Sequence, residues 1–149
     1  MASLDNPKAS KARSYGYLDA ILYMAPSDTA GVGNLCPFAV TACIQPCLGS
    51  TSGQAGIRDI ANDVDNAVTL ARKARARAYM QDRQRFLECV MDDVQALRLR
   101  AHRDGLVPVY RFNGSSDVLP PRWLFEMFHD VWFHRLHEKP QHNVEVPSR

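Results

Sequence analysis

Apolar and polar positions fall in blocks along the chain, and the blocks predict an alternation of strands and helices. Residues 15–24, YGYLDAILYM, are aromatic and aliphatic up to Ala25-Pro26-Ser27-Asp28, the pattern of a buried strand running into a turn. Between residues 63 and 79, Val64, Ala67, Val68, Ala71, Ala74 and Ala78 recur at helical spacing, which predicts a helix with a narrow, alanine-rich apolar face. Asp82 is a suitable N-cap for a second helix. Its stripe of Phe86, Leu87, Val90, Met91, Val94, Leu97 and Ala101 runs to a stop at Gly105. LVPVYRF at 106–112 reads as a short strand closed by the polar turn Asn113-Gly114-Ser115-Ser116-Asp117. Beyond Pro120 and Pro121, Trp123, Leu124, Met127, Phe128, Val131 and Trp132 keep helical spacing, while Val131-Trp132-Phe133 equally fits the start of a third strand.

The block between the first strand and the first helix follows neither period. Gly31, Gly33, Pro37, Pro46, Gly49, Gly53 and Gly56 punctuate it too densely for a regular element, which makes 31–56 a long loop. A loop of that length in a small domain points to a binding role. Residues 1–14 are rich in Lys, Ser and Ala without periodicity and read as a flexible tail, as do residues 138–149. Residues 15–137 are then one α/β domain. Helical crossovers between its strands favour a parallel sheet, with ligands gathering beyond the carboxyl ends of the strands. The loop at 31–56 and the turn at 113–117 both lie at such ends.

Composition changes this picture in three respects. At 149 residues, 46% hydrophobic and 23% charged, the chain has the size and balance of one globular domain. It holds no apolar run near the roughly 20 residues needed to span a bilayer, and its start lacks the apolar centre of a signal peptide. No membrane partner and a cytoplasmic location are the expectations. The net charge is only +2, yet Arg72, Lys73, Arg75, Arg77, Arg83 and Arg85 fall within one stretch. That stretch is either a solvated helix face or a surface for nucleic-acid phosphate.

The candidate chemistry lies in the glycine-rich loop. Cys36, Cys43 and Cys47 sit close together there, and in a reducing compartment such thiols are more readily ligands than disulfides. Soft thiolates select an iron–sulfur cluster, zinc or copper over calcium or magnesium. Three local ligands leave one coordination position open, which suits a cluster, whereas structural zinc needs a fourth protein ligand. Cys89 lies among the apolar residues of the second helix and reads as a small buried hydrophobe. His102, His129, His134, His137 and His142 offer no pair at zinc-binding spacing joined to a CxxC, so a Cys3His zinc site stays open but unsupported. The turn at 113–117 either bonds its own backbone or presents Asp117 to a cationic ligand group. No GxSxG, Walker, HExxH or glycine-rich dinucleotide motif supports an ordinary hydrolase, nucleotidase or dehydrogenase.

The segments NLCPFAVTACIQPCLGSTSGQAG, ARKARARAYMQDRQRFLECVMDDVQAL and VYRFNGSSDV, in that order, resemble the phage gene product 88 family over about residues 18–118. Ala42 stands where that family commonly has glycine, and Ser115 where it has threonine. The pattern is that of a short or C-terminally truncated member. Members of the family look like distant relatives of radical S-adenosylmethionine proteins, although the cysteine spacing here is wider than the usual radical motif. That resemblance implies a partial, half α/β barrel with short parallel strands and two to three helices. It implies a [4Fe-4S] cluster on Cys36, Cys43 and Cys47, and S-adenosylmethionine beside Asn113, Gly114, Ser115 and Asp117. It also implies that Arg72 and Arg75 contact an anionic small-molecule cofactor, in bacterial host cytoplasm if the chain is phage-encoded. The expected function is an iron–sulfur protein of radical type, with enzymatic activity, substrate and oligomeric state left open. The alternative from another class is a zinc-stabilised, non-enzymatic module that binds nucleic acid or a protein partner.

Overall fold

Three short strands, β1 (Tyr17–Ile21), β2 (Val107–Arg111) and β3 (Trp132–His134), lie side by side in that order, all parallel. The computed structural model that shows them describes residues 1–4, 7–44, 47, 65–112, 114–118 and 121–134. The expected α/β domain with a parallel sheet is therefore present, as an open sheet with, among the described residues, five helices. These are α1 (Pro7–Ser14), α2 (Thr41–Ile44), α3 (Ala67–Gln81), α4 (Arg83–Asp104) and α5 (Arg122–Met127).

Strand register sorts the side chains by face. Leu18 pairs with Pro108 and Ala20 with Tyr110, and this face continues through Leu22 and Phe112 into the core. The stripe of α4, namely Phe86, Leu87, Val90, Val94, Leu97 and Ala101, is buried against it as its spacing predicts. Asp82 caps α4 through the Arg85 amide at 2.9 Å, and Gly105 ends it in the left-handed conformation at φ 65°. On the other face Asp19, only 1% exposed, meets the Arg111 Nε at 3.0 Å. Asp19 pairs with Val109 and Ile21 with Arg111, so the two charges sit diagonally on neighbouring strands.

Two expectations are corrected. The predicted flexible tail at 1–14 contains α1 and an edge contact, because Ser3 forms an antiparallel bridge with Ile21. Asp93 of α4 accepts from the Met1 ammonium at 2.8 Å and from the Ala2 amide at 2.8 Å, and Pro7 opens α1 where its missing N–H costs nothing. The alanine stripe predicted to bury α3 does not do so: Ala67, Val68, Ala74 and Ala78 are exposed, and Arg72, Ala76 and Tyr79 face inward. The Asn66 side chain caps α3 at the Thr69 amide, and residue 63, the predicted start, lies outside the described residues. Each of the two readings left open after Pro121 holds for part of the segment: helical spacing gives α5 as far as Met127, and Trp132–His134 pair with β2 as the third strand. Arg98 of α4 holds the intervening turn through Asp130 at 2.7 Å. Residues 138–149 lie outside the described residues. Among the described residues no helix is long and apolar enough to cross a membrane.

The turn after β2 is fastened to the segment after β1. The Gly114 amide donates to the Leu22 carbonyl at 2.9 Å, the Ser115 hydroxyl to the Met24 carbonyl at 2.6 Å, and the Asp117 amide to the Leu35 carbonyl at 3.0 Å. Gly114 sits so close to Tyr23 that a Cβ would lie 2.5 Å from the ring. Gly114→Ala must therefore displace Tyr23, and a loss of about 1–3 kcal/mol in chemical denaturation is expected. Asp82→Ala removes the cap between α3 and α4 and should lower stability by about 0.5–2 kcal/mol in the same assay.

Candidate functional site

Beyond Ile21 the chain leaves the sheet but stays buried through Leu22, Met24, Ala25 and Pro26. A buried backbone without a ladder needs other partners for its carbonyls. Helix α3 supplies some of them: Arg75 donates to the Tyr23 carbonyl at 2.9 Å and Arg77 to the Ala30 carbonyl at 3.1 Å. The Ala25 amide in turn donates to the Arg72 carbonyl at 3.1 Å. This explains the inward turn of α3. Charged side chains there satisfy the loop, a task that alanine could not perform.

The loop then folds back on itself. The Leu35 amide donates to the Ser27 carbonyl at 2.9 Å, and Ser27 adopts a positive φ of 53° to make the corner. The Asn34 side chain accepts from the Cys36 amide at 2.8 Å, a local bond of the kind that stabilises turns. Cys36 is buried, and its sulfur accepts from the Ser27 amide at 3.2 Å. The Asp117 amide also faces that sulfur. Cys43 stands exposed on α2, and Cys47 follows half-buried, its amide donating to the Ile44 carbonyl at 3.3 Å.

These residues surround one cavity of about 160 Å³. Cys36, Cys43 and Cys47 line it together with Asp28, Ser115 and Asp117. The cysteine loop and the turn after β2 thus meet at the carboxyl ends of β1 and β2, the location a parallel sheet favours for ligands. Among the described residues no group of three His, Cys, Asp or Glu side chains is close enough to hold a metal ion. The thiols share a cavity wall without converging on one point. Burial pushes the Cys36 thiol above its usual pKa; the Ser27 amide acts against this, while the Asp117 carboxylate and Cys47 add to it.

The other predicted site residues divide by role. Asn113 lies outside the described residues, as do residues 45–46 and 48–64 of the predicted loop. Gly114 packs on Tyr23 and Ser115 fastens the turn, while Ser115 and Asp117 also reach the cavity. Arg75 is committed to the Tyr23 carbonyl. Arg72 is 4% exposed and lies over the Tyr23 ring at 4.9 Å. The basic stretch does not form one outward face: Arg72, Arg75 and Arg77 turn toward the loop, Lys73 pairs with Asp65, and Arg85 pairs with Glu88 at 3.1 Å.

Sequence reasoning missed Tyr23, Arg77 and the Asp19–Arg111 pair. Tyr23 is half-buried, and burial raises its pKa against the pull of Arg72 and Arg111. Asp19 did carry a signal, as the single acid inside an apolar strand run. Arg77 carried none, because nothing in helical spacing distinguishes an arginine that caps a distant carbonyl from one in solvent.

No curated protein and no solved structure matches the chain. The family comparison does find a match, to Gene product 88, across residues 1–141. The match extends well beyond the motifs around the cysteines and the turn, taking in α1 and the three strands. With that coverage the chain belongs to the gene product 88 family.

Proposed function

We propose that the cysteine cavity is the site of a [4Fe-4S] cluster held by Cys36, Cys43 and Cys47. The observation that carries this reading is the presence of all three thiols on one small cavity at the carboxyl ends of parallel strands. Sulfur ligands select soft metals, and an amide already directed at the Cys36 sulfur is the kind of hydrogen bond that tunes cluster potential. Thiols lining a cavity without a formed ligand group imply that loading draws them together, chiefly exposed Cys43. A cluster with three protein ligands supplies one-electron chemistry and an open iron for a small ligand. The radical S-adenosylmethionine likeness names that ligand as S-adenosylmethionine. Ser115 and Asp117 line the same cavity from the turn after β2, with Asp117 able to accept hydrogen bonds from a cationic amino group.

One observation favours the second reading, structural zinc. Asp28 and Asp117 border the same cavity and offer a carboxylate oxygen as the fourth ligand that three thiolates lack. Nothing comparable favours a nucleic-acid surface beside it, since Arg75 and Arg77 are bonded to loop carbonyls.

Metal analysis distinguishes the two. Anaerobic purification is expected to give a brown protein with iron and acid-labile sulfide in equal amounts, both lost in Cys36→Ser; a colourless protein with stoichiometric zinc overturns the cluster reading. In metal-free protein near pH 8, iodoacetamide should modify exposed Cys43 well before Cys36, since a buried thiol with a raised pKa holds little thiolate. Peptide mass spectrometry over a time course reads the order, and loading with metal should slow modification at all three positions.

A further inference from the structure

Cys36 and Cys47 stand at the two ends of a segment that curls back on itself. The Ala39 amide donates to the Cys36 carbonyl at 3.0 Å, the Cys43 and Ile44 amides to the Val40 carbonyl at 2.8 and 3.2 Å, and the Cys47 amide to the Ile44 carbonyl at 3.3 Å. These successive turns return the chain, so that both ends line one cavity of about 160 Å³. There the Cys36 thiol lies within electrostatic reach of Cys47, whereas Cys43 stands exposed on α2. The fourth cysteine, Cys89, is on α4 and does not line the cavity. The two neighbours also differ in access: Cys36 is buried and Cys47 half-buried. A small oxidant in the cavity meets Cys47 directly, and the shielded Cys36 is placed to react with what Cys47 becomes.

We infer that Cys36 and Cys47 of the metal-free chain are a redox pair, closed to a disulfide across the cavity by hydrogen peroxide and reopened by an external thiol. In the first step the Cys47 sulfur attacks one peroxide oxygen and the O–O bond breaks. The departing hydroxide leaves as water with the Cys47 thiol proton, and Cys47 becomes a sulfenic acid. In the second step the Cys36 sulfur attacks the Cys47 sulfur, the S–O bond breaks, and the hydroxide leaves with the Cys36 proton as a second water. The two thiols have then lost two electrons and one peroxide has gained them. Two external thiols reverse the change through a mixed disulfide, ending as a disulfide themselves. Where thiols are otherwise kept reduced, such a bond is transient and reports an oxidant. The pair shares its sulfurs with the cluster reading but does not rest on it, because every step takes place in the metal-free chain. Its closure removes two of the three thiols that the cluster reading uses.

The test treats the full chain, stripped of metal by a chelator, with hydrogen peroxide. Remaining thiols are blocked with N-ethylmaleimide in denaturant, and the chain is cleaved by chymotrypsin without reduction. Cleavage after Phe38 parts Cys36 from Cys43 and Cys47, so a bridge appears as two joined peptides whose fragment spectra identify the second cysteine. A Cys36–Cys47 bridge is expected, with free thiols falling from four to two and recovering in dithiothreitol. Cys43→Ser should keep the bridge. In Cys47→Ser the loss of the Cys36 thiol to peroxide should slow by about tenfold or more, since the buried sulfur has lost its oxidised neighbour. Unfolding in guanidinium chloride before peroxide should abolish the preference for Cys47 over Cys43. A bridge from Cys36 to Cys43, a Cys43–Cys47 bridge, a bond between two chains, oxidation that stops at sulfenic or sulfinic acid, or a preference that survives unfolding overturns the assignment. Because no metal is present at any stage, a colourless or zinc-loaded protein defeats the cluster reading without touching this result.

Discussion

A buried backbone segment outside a sheet must find partners for its carbonyls, and this requirement organises the region around the cavity. From Leu22 to Pro26 the chain is buried apart from half-buried Tyr23, and it dips in again at Ala30 and Leu35, but it forms no ladder of its own. The carbonyls of Leu22, Met24 and Leu35 accept from the turn after β2, and those of Tyr23 and Ala30 accept from the arginines of α3. The turn and the helix therefore grip the same stretch from two sides. Cys36 follows directly from that grip, because the amide of Asp117, which closes the last of these bonds, also faces its sulfur.

The same arrangement accounts for the polarity of the site. Helix α4 takes the apolar face of the sheet and fills it with a conventional stripe. Charge is left to the opposite face and to the strand ends, where Asp19, Arg111, Tyr23 and Arg72 interact electrostatically. Groups of this kind are stable in a low-dielectric setting only when paired or hydrogen-bonded. Asp19 and Arg111 meet that condition as an ion pair, and the Arg72 guanidinium rests on the Tyr23 ring, its Nε without a hydrogen-bond partner among the described residues.

Much of this was legible in the sequence, for identifiable reasons. Helix α4 followed from a long stripe bounded by Asp82 and Gly105, where periodicity and capping agree. The meeting of the cysteines with Ser115 and Asp117 followed from parallel topology alone, since consecutive parallel strands bring their carboxyl-terminal loops together. Helix α1 escaped notice because it buries only Ala9 and so carries no stripe. The orientation of α3 was misread for the opposite reason. Alanines at helical spacing suggested an inward face, but alanine is indifferent to exposure in a helix, whereas the loop carbonyls demanded the arginines.

The bond from Ser115 to Met24 spans 91 residues of sequence. During synthesis the amino-terminal wall of the cavity, with Cys36, Cys43 and Cys47, leaves the ribosome well before Ser115 and Asp117 exist to close it. Through that interval the three thiols stand in a loop whose anchoring helix and turn are still unmade. The cavity wall is therefore complete only after translation has passed the turn beyond β2.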